Sequence, residues 1–366
     1  MTPTKIGIIG CGNISDIYLK NGQKFDILDI TTVADLDFKR AKAKAKQYGV
    51  KAVTPAEILA DPSLEIVINL TIPAAHYEVS LAAIDAGKSV YSEKPLATRL
   101  DDGRRLLAAA QAKGVRIGCA PDTFLGGGLQ TCRKLIDDGA IGRPVAATAF
   151  MMSHGPESWH PDPEFFYQPG AGPMFDMGPY YLTALIAMLG PIRRVTGMAE
   201  ISFQKRIIGS GAKKGQAIAV HTPTHVTGLL DFANDAVGTL ITSFDVWGSH
   251  LPHLEIYGST GTLAVPDPNT FGGPVLLRQA GQNDWREVKL THSYTENSRG
   301  LGVADLAYAL RSDRPHRANG AMALHVLEAM QSFLDSSQAG RHIELTSRCE
   351  QPAALPVGLP VGTLDE

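Results

Sequence analysis

Residues 1–122 alternate short apolar runs with amphipathic helical patterns. Between the apolar runs, side chains such as Ile14, Ile17 and Tyr18 recur at the spacing of a helix. Alternating strands and helices are typical of βαβ units, and near-continuous apolar strands indicate a parallel sheet that is covered on both faces. We therefore predict a parallel α/β domain. Its strands are expected at Ile6–Ile9, Ile30–Ala34, Ile66–Leu70, Ser89–Tyr91 and Val115–Gly118.

The pattern changes beyond residue 145, where longer segments alternate apolar and polar residues. The segments 225–232 and 237–244 are joined across Asn234-Asp235, which is typical of an antiparallel hairpin. Further strands are predicted at Val145–Met152, Val195–Phe203, Leu254–Tyr257, Gly261–Val265, Val275–Arg278 and Trp285–Lys289, and helices at Tyr180–Leu189 and Ala321–Leu334. We expect an α/β domain over 123–350, with an open, mainly antiparallel sheet and helices on one face. The Pro-rich segment 351–366 is expected to be a loosely held terminal extension.

Composition supports two globular domains and small-molecule chemistry. The 366 residues are 44% hydrophobic and 19% charged, enough for two cores at about 100–200 residues per domain. A net charge of −3 gives no general attraction to nucleic acid or to anionic lipid, so neither is expected as a partner. Because an uncovered sheet face can pair with another subunit, we expect a homo-oligomer, either a dimer or a tetramer.

Cysteines and histidines give no sign of a cross-link or a metal. The four cysteines lack C-x-x-C spacing, which predicts neither disulfides nor a thiolate zinc site and fits a reducing compartment. The pairs His221/His225 and His250/His253 have no carboxylate or cysteine at ligand spacing, so no metal is expected. No basic leader precedes the first strand, and no stretch approaches the roughly 18 apolar residues of a membrane span. The cytoplasm is the expected location.

A glycine-rich turn directly follows the first strand. Gly10-Cys-Gly12-Asn13-Ile14-Ser15 leads straight into a helical pattern. In a dinucleotide-binding turn of this kind, the first glycine permits the tight bend and the second lets the backbone approach a pyrophosphate at the helix N-terminus. Ser15 stands where a third glycine allows close packing, and serine is small enough for that position. The alternative is a turn that binds nothing, but the strand–turn–helix context favours a Rossmann domain.

Asp35 ends the second strand, about twenty residues beyond the glycines. A carboxylate at this place commonly binds the adenosine ribose hydroxyls and repels a 2′-phosphate, so NAD is the expected cofactor. Lys39 and Arg40 lie close enough in sequence to leave NADP open. The alternative interpretation of Asp35 is a turn residue at the end of a strand.

Two further segments follow strands of the first domain, Thr71-Ile-Pro73-Ala-Ala-His76 and Glu93-Lys94-Pro95. Together with the glycine turn they resemble the glucose-fructose oxidoreductase / inositol dehydrogenase / rhizopine catabolism (Gfo/Idh/MocA) family, for which Glu-Lys-Pro is the most specific short motif. The resemblance extends over nearly the whole chain. It implies a Rossmann domain, an α/β domain with an open sheet, and redox chemistry at a secondary carbinol or anomeric centre. The cofactor-binding residues that it implies are Gly10, Gly12, Asn13, Ile14, Asp35, Thr71, Pro73, His76, Glu93 and Lys94.

The same resemblance points to a catalytic group. In the family, the lysine of Glu-Lys-Pro lies at the nicotinamide, and a D-x-x-x-H segment supplies an aspartate and a proton-transferring histidine. This chain has Asp176-Met-Gly-Pro-Tyr180, with tyrosine at the histidine position. Glucose-fructose oxidoreductase and the dimeric dihydrodiol dehydrogenases are relatives that use tyrosine there. The resemblance therefore implies Lys94, Asp176 and Tyr180 as catalytic residues.

Elementary chemistry makes the same residues plausible. A tyrosine with an ordinary pKa near 10 is a poor base at neutral pH, but an ammonium group within about 4–6 Å lowers that pKa by 1–3 units. Lys94 is the candidate ammonium, and it can also stabilise a developing alkoxide. At spacing i, i+4 on a helix, Asp176 shares a face with Tyr180 and can orient Lys94 or bind a substrate hydroxyl. Each residue also has a structural interpretation: a surface lysine, a helix N-cap and a tyrosine packed at a domain interface.

A long segment between the strand at Val145–Met152 and Asp176 is dense in aromatic and polar residues. Trp159 is a candidate to stack on a sugar, and His160 a candidate to hydrogen-bond its hydroxyls. The equally open alternative is a loop that packs against its own sheet or against another subunit.

These residues predict an NAD-dependent dehydrogenase that acts on a secondary hydroxyl of a sugar, glycoside or cyclitol. Oxidation at pyranose C3 is one specific version. One alternative is an NADP-linked sugar or dicarbonyl reductase, or a dihydrodiol-type dehydrogenase. The other is a nucleotide-fold ligand sensor without turnover.

Overall fold

The computed structural model describes residues 1–365 and contains a six-stranded parallel sheet in its N-terminal part, with strand order β3-β2-β1-β4-β5-β6. The strands are β1 (Thr4–Ile9), β2 (Leu28–Ala34), β3 (Lys51–Ala52), β4 (Ile66–Asn69), β5 (Ser89–Ser92) and β6 (Ile117–Cys119). The helices are α1 (Ser15–Gly22), α2 (Phe38–Tyr48), α3 (Pro55–Ala60), α4 (His76–Asp85) and α5 (Leu100–Lys113). Strand order reverses between β1 and β4, and ligands of such sheets bind at the carboxyl ends of the strands at this point.

The second domain has a nine-stranded sheet in the order β16-β15-β14-β13-β7-β12-β11-β8-β17, and a small β9-β10 hairpin. Its strands are β7 (Pro144–Met152), β8 (Ile192–Glu200), β9 (Lys205–Ile207), β10 (Ala217–Ala219), β11 (His225–Phe232), β12 (Val237–Ser243), β13 (Leu254–Gly258), β14 (Gly261–Val265), β15 (Val275–Gln279), β16 (Arg286–Val288) and β17 (Ile343–Glu344). The pair β7–β12 is parallel and the other pairs are antiparallel. This confirms the predicted α/β architecture with an open, mainly antiparallel sheet.

The helices of the second half are α6 (Gly127–Asp137), α7 (Gly172–Leu189), α8 (Leu301–Ser312) and α9 (Gly320–Ala339). Helices α7 and α9 pack on one face of the nine-stranded sheet. On the strands β8 and β11, Gly197 and Gly228 lie against the ring of Phe333 from α9. Since side chains alternate along a strand, the neighbouring Met198 and Leu229 point to the opposite face, where they are 67% and 45% exposed.

Helix α8 returns to the first domain. It packs on β6, and Gly302 lies against the ring of Tyr91, where a larger side chain would collide. Arg311 at the end of α8 forms an ion pair with Glu65 at 2.6 Å. Residues from the second half of the chain therefore complete the packing of the Rossmann domain. None of the helices within residues 1–365 is both long and apolar enough to cross a membrane.

The expectation of a loosely held C-terminal extension is wrong. Leu355 and Leu364 are buried, and the Leu355 N–H donates to Gln130 Oε1 at 2.7 Å. Asp365 accepts a hydrogen bond from Arg314 at 2.9 Å. The tail is fixed by partners far away in sequence, and such long-range contacts have no local pattern that prediction can use.

Helix α7 begins at Gly172, not at Tyr180 as the sequence pattern predicted. Gly172, Gly178 and Pro179 are poor helix formers, and they conceal the first turns of the helix. The structure accounts for the two glycines: Gly172 has φ +81°, and a Cβ at position 178 would lie 2.9 Å from the sulfur of Met174. Because the helix starts early, Asp176 lies inside it and is not its N-cap.

Candidate active site

The glycine turn after β1 has the geometry of a dinucleotide-binding turn. Gly10 has φ +109°, and a Cβ there would lie 2.5 Å from the Leu70 backbone, so only glycine fits. A Cβ at Gly12 would meet no protein atom within 4 Å, which leaves that backbone open to a ligand. Ser15, the buried first residue of α1, donates its hydroxyl hydrogen to the Gly12 carbonyl at 2.6 Å. Serine thus closes the turn at the position usually held by a third glycine.

Asp35 lies at the carboxyl end of β2, beside the glycine turn. Its Oδ2 accepts the Cys11 N–H at 2.8 Å, and its Oδ1 accepts the Asp37 N–H at 2.8 Å. Asp35 also lines a cleft of about 440 Å³ together with both glycines of the turn, Thr71 and Arg40. The carboxylate is therefore held by the backbone at the rim of the cleft that a nucleotide would occupy.

The other residues predicted for the cofactor site differ in whether they lie at this cleft. Asn13 is exposed and Ile14 half-buried at the turn, and Pro73 begins a short 3₁₀ turn whose neighbour Ile72 lines the cleft. His76 lies elsewhere: it is buried, with Nδ1 2.7 Å from the Pro95 carbonyl oxygen and Nε2 3.1 Å from the Thr71 carbonyl oxygen. Burial lowers its pKa, although the two carbonyl oxygens oppose this effect. The neutral ring can donate to only one of these two oxygens, and His76 lies between two loops of the site without lining the cleft.

Glu93 and Lys94 follow β5 directly. The Glu93 carboxylate accepts hydrogen bonds from the Tyr18 hydroxyl at 2.8 Å and from the Lys94 N–H at 3.1 Å. Tyr18 belongs to α1, the helix that follows the glycine turn. Glu93 thus fixes the loop that bears Lys94 to the helix next to the nucleotide cleft.

Lys94, Asp176 and Tyr180 are brought together between the two domains. The Lys94 ammonium donates to Asp176 Oδ1 at 2.7 Å and to the Asp176 carbonyl at 2.6 Å, and it lies 5.2 Å from the centroid of the Tyr180 ring. The side chains of Lys94 and Asp176 are only 16% and 25% exposed. Burial lowers the pKa of Lys94, but the charges of Asp176 and Tyr180 outweigh burial and raise it. Lys94 is therefore a charged lysine that other residues of the site largely enclose, and not a surface lysine.

Asp122 and Arg299 are two further charged residues for which no motif in the sequence predicts a role. Asp122 is buried after β6 and accepts the N–H groups of Gly300 and Gly302 at 2.8 and 2.9 Å. Burial raises the pKa of Asp122 to about 6, although these two hydrogen bonds oppose the rise. The charge of Tyr180 is among the causes that raise the pKa of Arg299 against its burial. No local motif marks Arg299, and its hydrogen-bond partner Asn269 lies 30 residues away in sequence.

The aromatic loop, residues 153–167, contains Trp159 and His160, the two residues predicted to contact the substrate. Trp159 is 67% exposed, while His160 lies edge-on to the rings of Phe165 and Phe166 at centroid distances of 5.4 and 5.3 Å. Farther along, the loop reaches the first domain where Gly170 lies against Thr98. His160 thus packs within its own loop, and Trp159 presents its indole to solvent.

Comparisons with known proteins agree with this geometry. Residues 4–120 match a family model described as an oxidoreductase family with an NAD-binding Rossmann fold, and residues 129–264 match the GFO/IDH/MocA C-terminal domain. The chain is 27% identical over 293 residues to inositol 2-dehydrogenase 3 of Saccharopolyspora erythraea, and 27% identical over 303 residues to inositol 2-dehydrogenase of Ralstonia nicotianae. Each match covers 77% of this chain and 80% of the relative.

Solved structures share the fold. An NAD-binding oxidoreductase from Klebsiella pneumoniae superposes with a TM-score of 0.82 at 21% identity, covering 95% of this chain and 100% of that one. Levoglucosan dehydrogenase, in complex with NADH and L-sorbose, superposes with a TM-score of 0.80 at 19% identity and with the same coverage. The matched models span most of the chain and both of its domains. The chain therefore belongs to the Gfo/Idh/MocA family of NAD-binding oxidoreductases.

Proposed function

We propose that this protein is an NAD-dependent dehydrogenase that transfers hydride between a secondary hydroxyl of a sugar, glycoside or cyclitol and nicotinamide. The observation that carries the proposal is the Lys94 ammonium, which is bonded to Asp176 and lies over the Tyr180 ring. This group lies beside the loops that line the nucleotide cleft. A ligand sensor would have no need of a partly buried ion pair next to a tyrosine at this place.

The chemistry follows from the charges. Bound NAD supplies the hydride acceptor. As the hydride leaves the carbinol carbon, the hydroxyl proton must leave as well, and in this proposal Tyr180 accepts it. Lys94 stabilises negative charge on the tyrosine and on the developing alkoxide. Asp176 keeps Lys94 charged and oriented, and its carboxylate has a second oxygen available for a neighbouring substrate hydroxyl.

The cofactor preference follows from Asp35. Its carboxylate lines the cleft and would repel a 2′-phosphate, which favours NAD over NADP. Arg40 lines the same cleft, but it is paired with Asp37 at 3.7 Å. The NADP-linked sugar or dicarbonyl reductase and the dihydrodiol-type dehydrogenase are the second candidate, and Arg40 at the rim of the cleft supports the NADP-linked form.

The relatives support a polyhydroxylated ring as the substrate. Three of the four proteins quoted above are named for inositol or levoglucosan, and both names describe rings with adjacent secondary hydroxyls. Oxidation at pyranose C3 remains the specific version of the proposal. Trp159 and His160 remain candidate substrate contacts, and the exposed indole of Trp159 is the better placed of the two for stacking on a sugar.

Substrate screening tests the function. Purified protein with NAD or NADP is mixed with monosaccharides, methyl glycosides and cyclitols, and absorbance of the reduced nicotinamide is followed. We expect NAD to be reduced with one ring class, and Tyr180→Phe to abolish the signal. Nucleotide released from heat-denatured protein is measured first, because a retained cofactor would mask turnover. Reduction of NADP alone would favour the second candidate.

We further propose that the exposed face of the nine-stranded sheet pairs with a second copy of the chain. Met198 and Leu229 are exposed there on neighbouring strands, with Val237 half-exposed on the next strand. Large exposed apolar patches on such a face are typical of a subunit interface. Equilibrium sedimentation should therefore give a dimer or a tetramer.

A further inference from the structure

We propose that Tyr18 is a positioning residue for Lys94. Its hydroxyl holds the Glu93 carboxylate against the backbone of the next residue, so that the Lys94 ammonium is left to pair with a carboxylate of the second domain. The helix that follows the glycine turn thereby fixes the partner of the lysine. The proposal rests on the proposed function, in which Lys94 stabilises the charge that develops during hydride transfer.

Lys94 lies between two carboxylates. Glu93 is the preceding residue, and Asp176 comes from α7 of the second domain. Within residues 1–365, the hydrogen bonds of the Lys94 ammonium go to Asp176 alone, at 2.7 Å to Oδ1 and 2.6 Å to the carbonyl oxygen. Burial lowers the pKa of Lys94, and the charges of Asp176 and, to a smaller extent, Glu93 raise it. Both carboxylates therefore attract the ammonium, and the structure selects the more distant one in sequence.

The Glu93 carboxylate is engaged through both of its oxygens. Oε1 accepts the Tyr18 hydroxyl at 2.8 Å, and Oε2 accepts the Lys94 N–H at 3.1 Å. The second bond joins adjacent residues and moves with them. The first joins residues 75 positions apart, so the Tyr18 hydroxyl is the partner that ties the Glu93 side chain to another element of the fold.

Tyr18 is a suitable fixed point because its helix α1 is anchored. Its side chain is 1% exposed, and its ring centroid lies 6.5 Å from that of Tyr91 on β5. One turn farther along the same helix, the amide of the buried Asn21 donates to the carbonyl oxygens of Asn297 and Arg299 at 3.0 and 2.9 Å. Since the glycine turn leads into this helix, a nucleotide bound there and the loop after β5 have a common support.

Loss of the hydroxyl alone separates this role from simple packing. Tyr18→Phe keeps the buried ring and removes the donor to Glu93 Oε1. A half-buried carboxylate that loses a donor needs a replacement, and the ammonium of the adjacent Lys94 is a charged donor within the same loop. We expect Glu93 to turn towards that ammonium and to weaken its bond to Asp176.

Crystal structures of wild type and Tyr18→Phe, each with NAD, test the position of the lysine without turnover. The proposal predicts that the Lys94 ammonium of the variant lies within hydrogen-bond distance of the Glu93 carboxylate. An ammonium that keeps Asp176 as its only carboxylate partner in the variant overturns the proposal.

A double-mutant cycle tests the consequence for the reaction. The kcat for the best substrate is measured in wild type, Tyr18→Phe, Glu93→Gln and Tyr18→Phe/Glu93→Gln. Removing the hydroxyl should lower kcat by about tenfold or more when Glu93 is charged, and by less than about threefold when position 93 holds a neutral amide. Equal losses in both backgrounds would show that the hydroxyl does not act through the charge of Glu93, and overturn the proposal.

Two controls complete the experiment. Tyr48→Phe removes a hydroxyl that donates to Asp16 of the same helix at 2.9 Å, and it should leave kcat unchanged. Calorimetric titration should show NAD affinity within a few fold of wild type in Tyr18→Phe, and a loss confined to NAD affinity overturns the proposal. If Lys94→Ala retains full activity, the proposed function fails, while the crystal structures still decide whether Tyr18 positions Lys94.

Discussion

The Lys94 ammonium donates hydrogen bonds to both the carboxylate and the backbone carbonyl of Asp176, at 2.7 and 2.6 Å. Lys94 comes from the loop after β5 of the first domain, and Asp176 from α7 of the second. This pair therefore joins the nucleotide-binding half of the site to the half that holds Tyr180. Burial by itself lowers the pKa of Lys94, and the negative charge of Asp176 opposes this effect and keeps Lys94 protonated.

Asp176→Asn should lower kcat/KM by about 10²–10⁴-fold. The amide keeps the shape of the side chain but removes the negative charge that holds Lys94 protonated and oriented. Steady-state kinetics measure the change, and a thermal melt with and without NAD shows that the variant is folded. Asp162→Asn, which removes an exposed carboxylate from the aromatic loop, is the control and should leave the rate within a few fold. Wild-type kinetics in Asp176→Asn would exclude a role for the pair in catalysis.

The two turn glycines should respond differently to alanine. Gly10→Ala must place a Cβ at φ +109°, 2.5 Å from the Leu70 backbone, which costs about 1–3 kcal/mol of stability or more. Gly12→Ala meets no protein atom, so its melting temperature without cofactor should match wild type. Its NAD affinity should fall about tenfold or more, because the methyl group stands where the pyrophosphate approaches. Calorimetric titration with NAD measures this fall, and undiminished affinity would place the pyrophosphate elsewhere.

His76 should make folding stability depend on pH. Burial lowers its pKa, so the folded state favours the neutral ring. Its contribution to stability is fully present above the unfolded pKa of about 6.5 and is lost as pH falls through the lowered folded pKa. His76→Gln should therefore lose less stability than wild type between pH 7.5 and pH 5, as followed by calorimetry. Other buried histidines affect both proteins equally, and the exposed His342→Gln is the matched control. Equal pH slopes in wild type and His76→Gln would contradict the assignment.

Met198→Asp should dissociate the oligomer. A carboxylate on the exposed sheet face would be desolvated without a partner in a face-to-face pairing. Light scattering after size exclusion should show a smaller species than wild type. Val357→Asp, at an exposed apolar position of the C-terminal tail, should leave the assembly unchanged. An unchanged mass for Met198→Asp would show that this face is not the interface.

Local patterns predicted the parts of the site that a short segment defines. The strand–turn–helix pattern predicts the glycine turn and Asp35, whereas Lys94, Asp176 and Tyr180 were implied by the family resemblance, through one short motif in each domain; their catalytic roles stay predictions. Contacts between segments far apart in sequence leave no local pattern, so the sequence did not predict them. The Asn269 contact to Arg299 and the Arg314 contact to Asp365 join segments with no shared pattern.

The start of helix α7 was predicted too late in the chain because of the residue composition of its first turns. Its first eight residues contain two glycines and two prolines, and local propensity counts the glycines and the interior Pro179 against a helix. Packing overrides propensity there, since the early turns are mostly buried. His76 illustrates the same limit for a single residue: the motif located it correctly in the chain, but only the structure shows that it faces two carbonyl oxygens and not the cleft.

Direct hydride transfer is the central claim, and isotope labelling tests it most directly. The best substrate of the panel is prepared with deuterium at the reacting carbinol carbon and incubated with NAD and wild-type protein. We expect deuterium in the recovered reduced nicotinamide, a slower rate than with the unlabelled substrate when chemistry is rate-limiting, and no transfer with Tyr180→Phe or Lys94→Ala. Reduced nicotinamide without deuterium, or equal transfer by the two variants, would contradict the account.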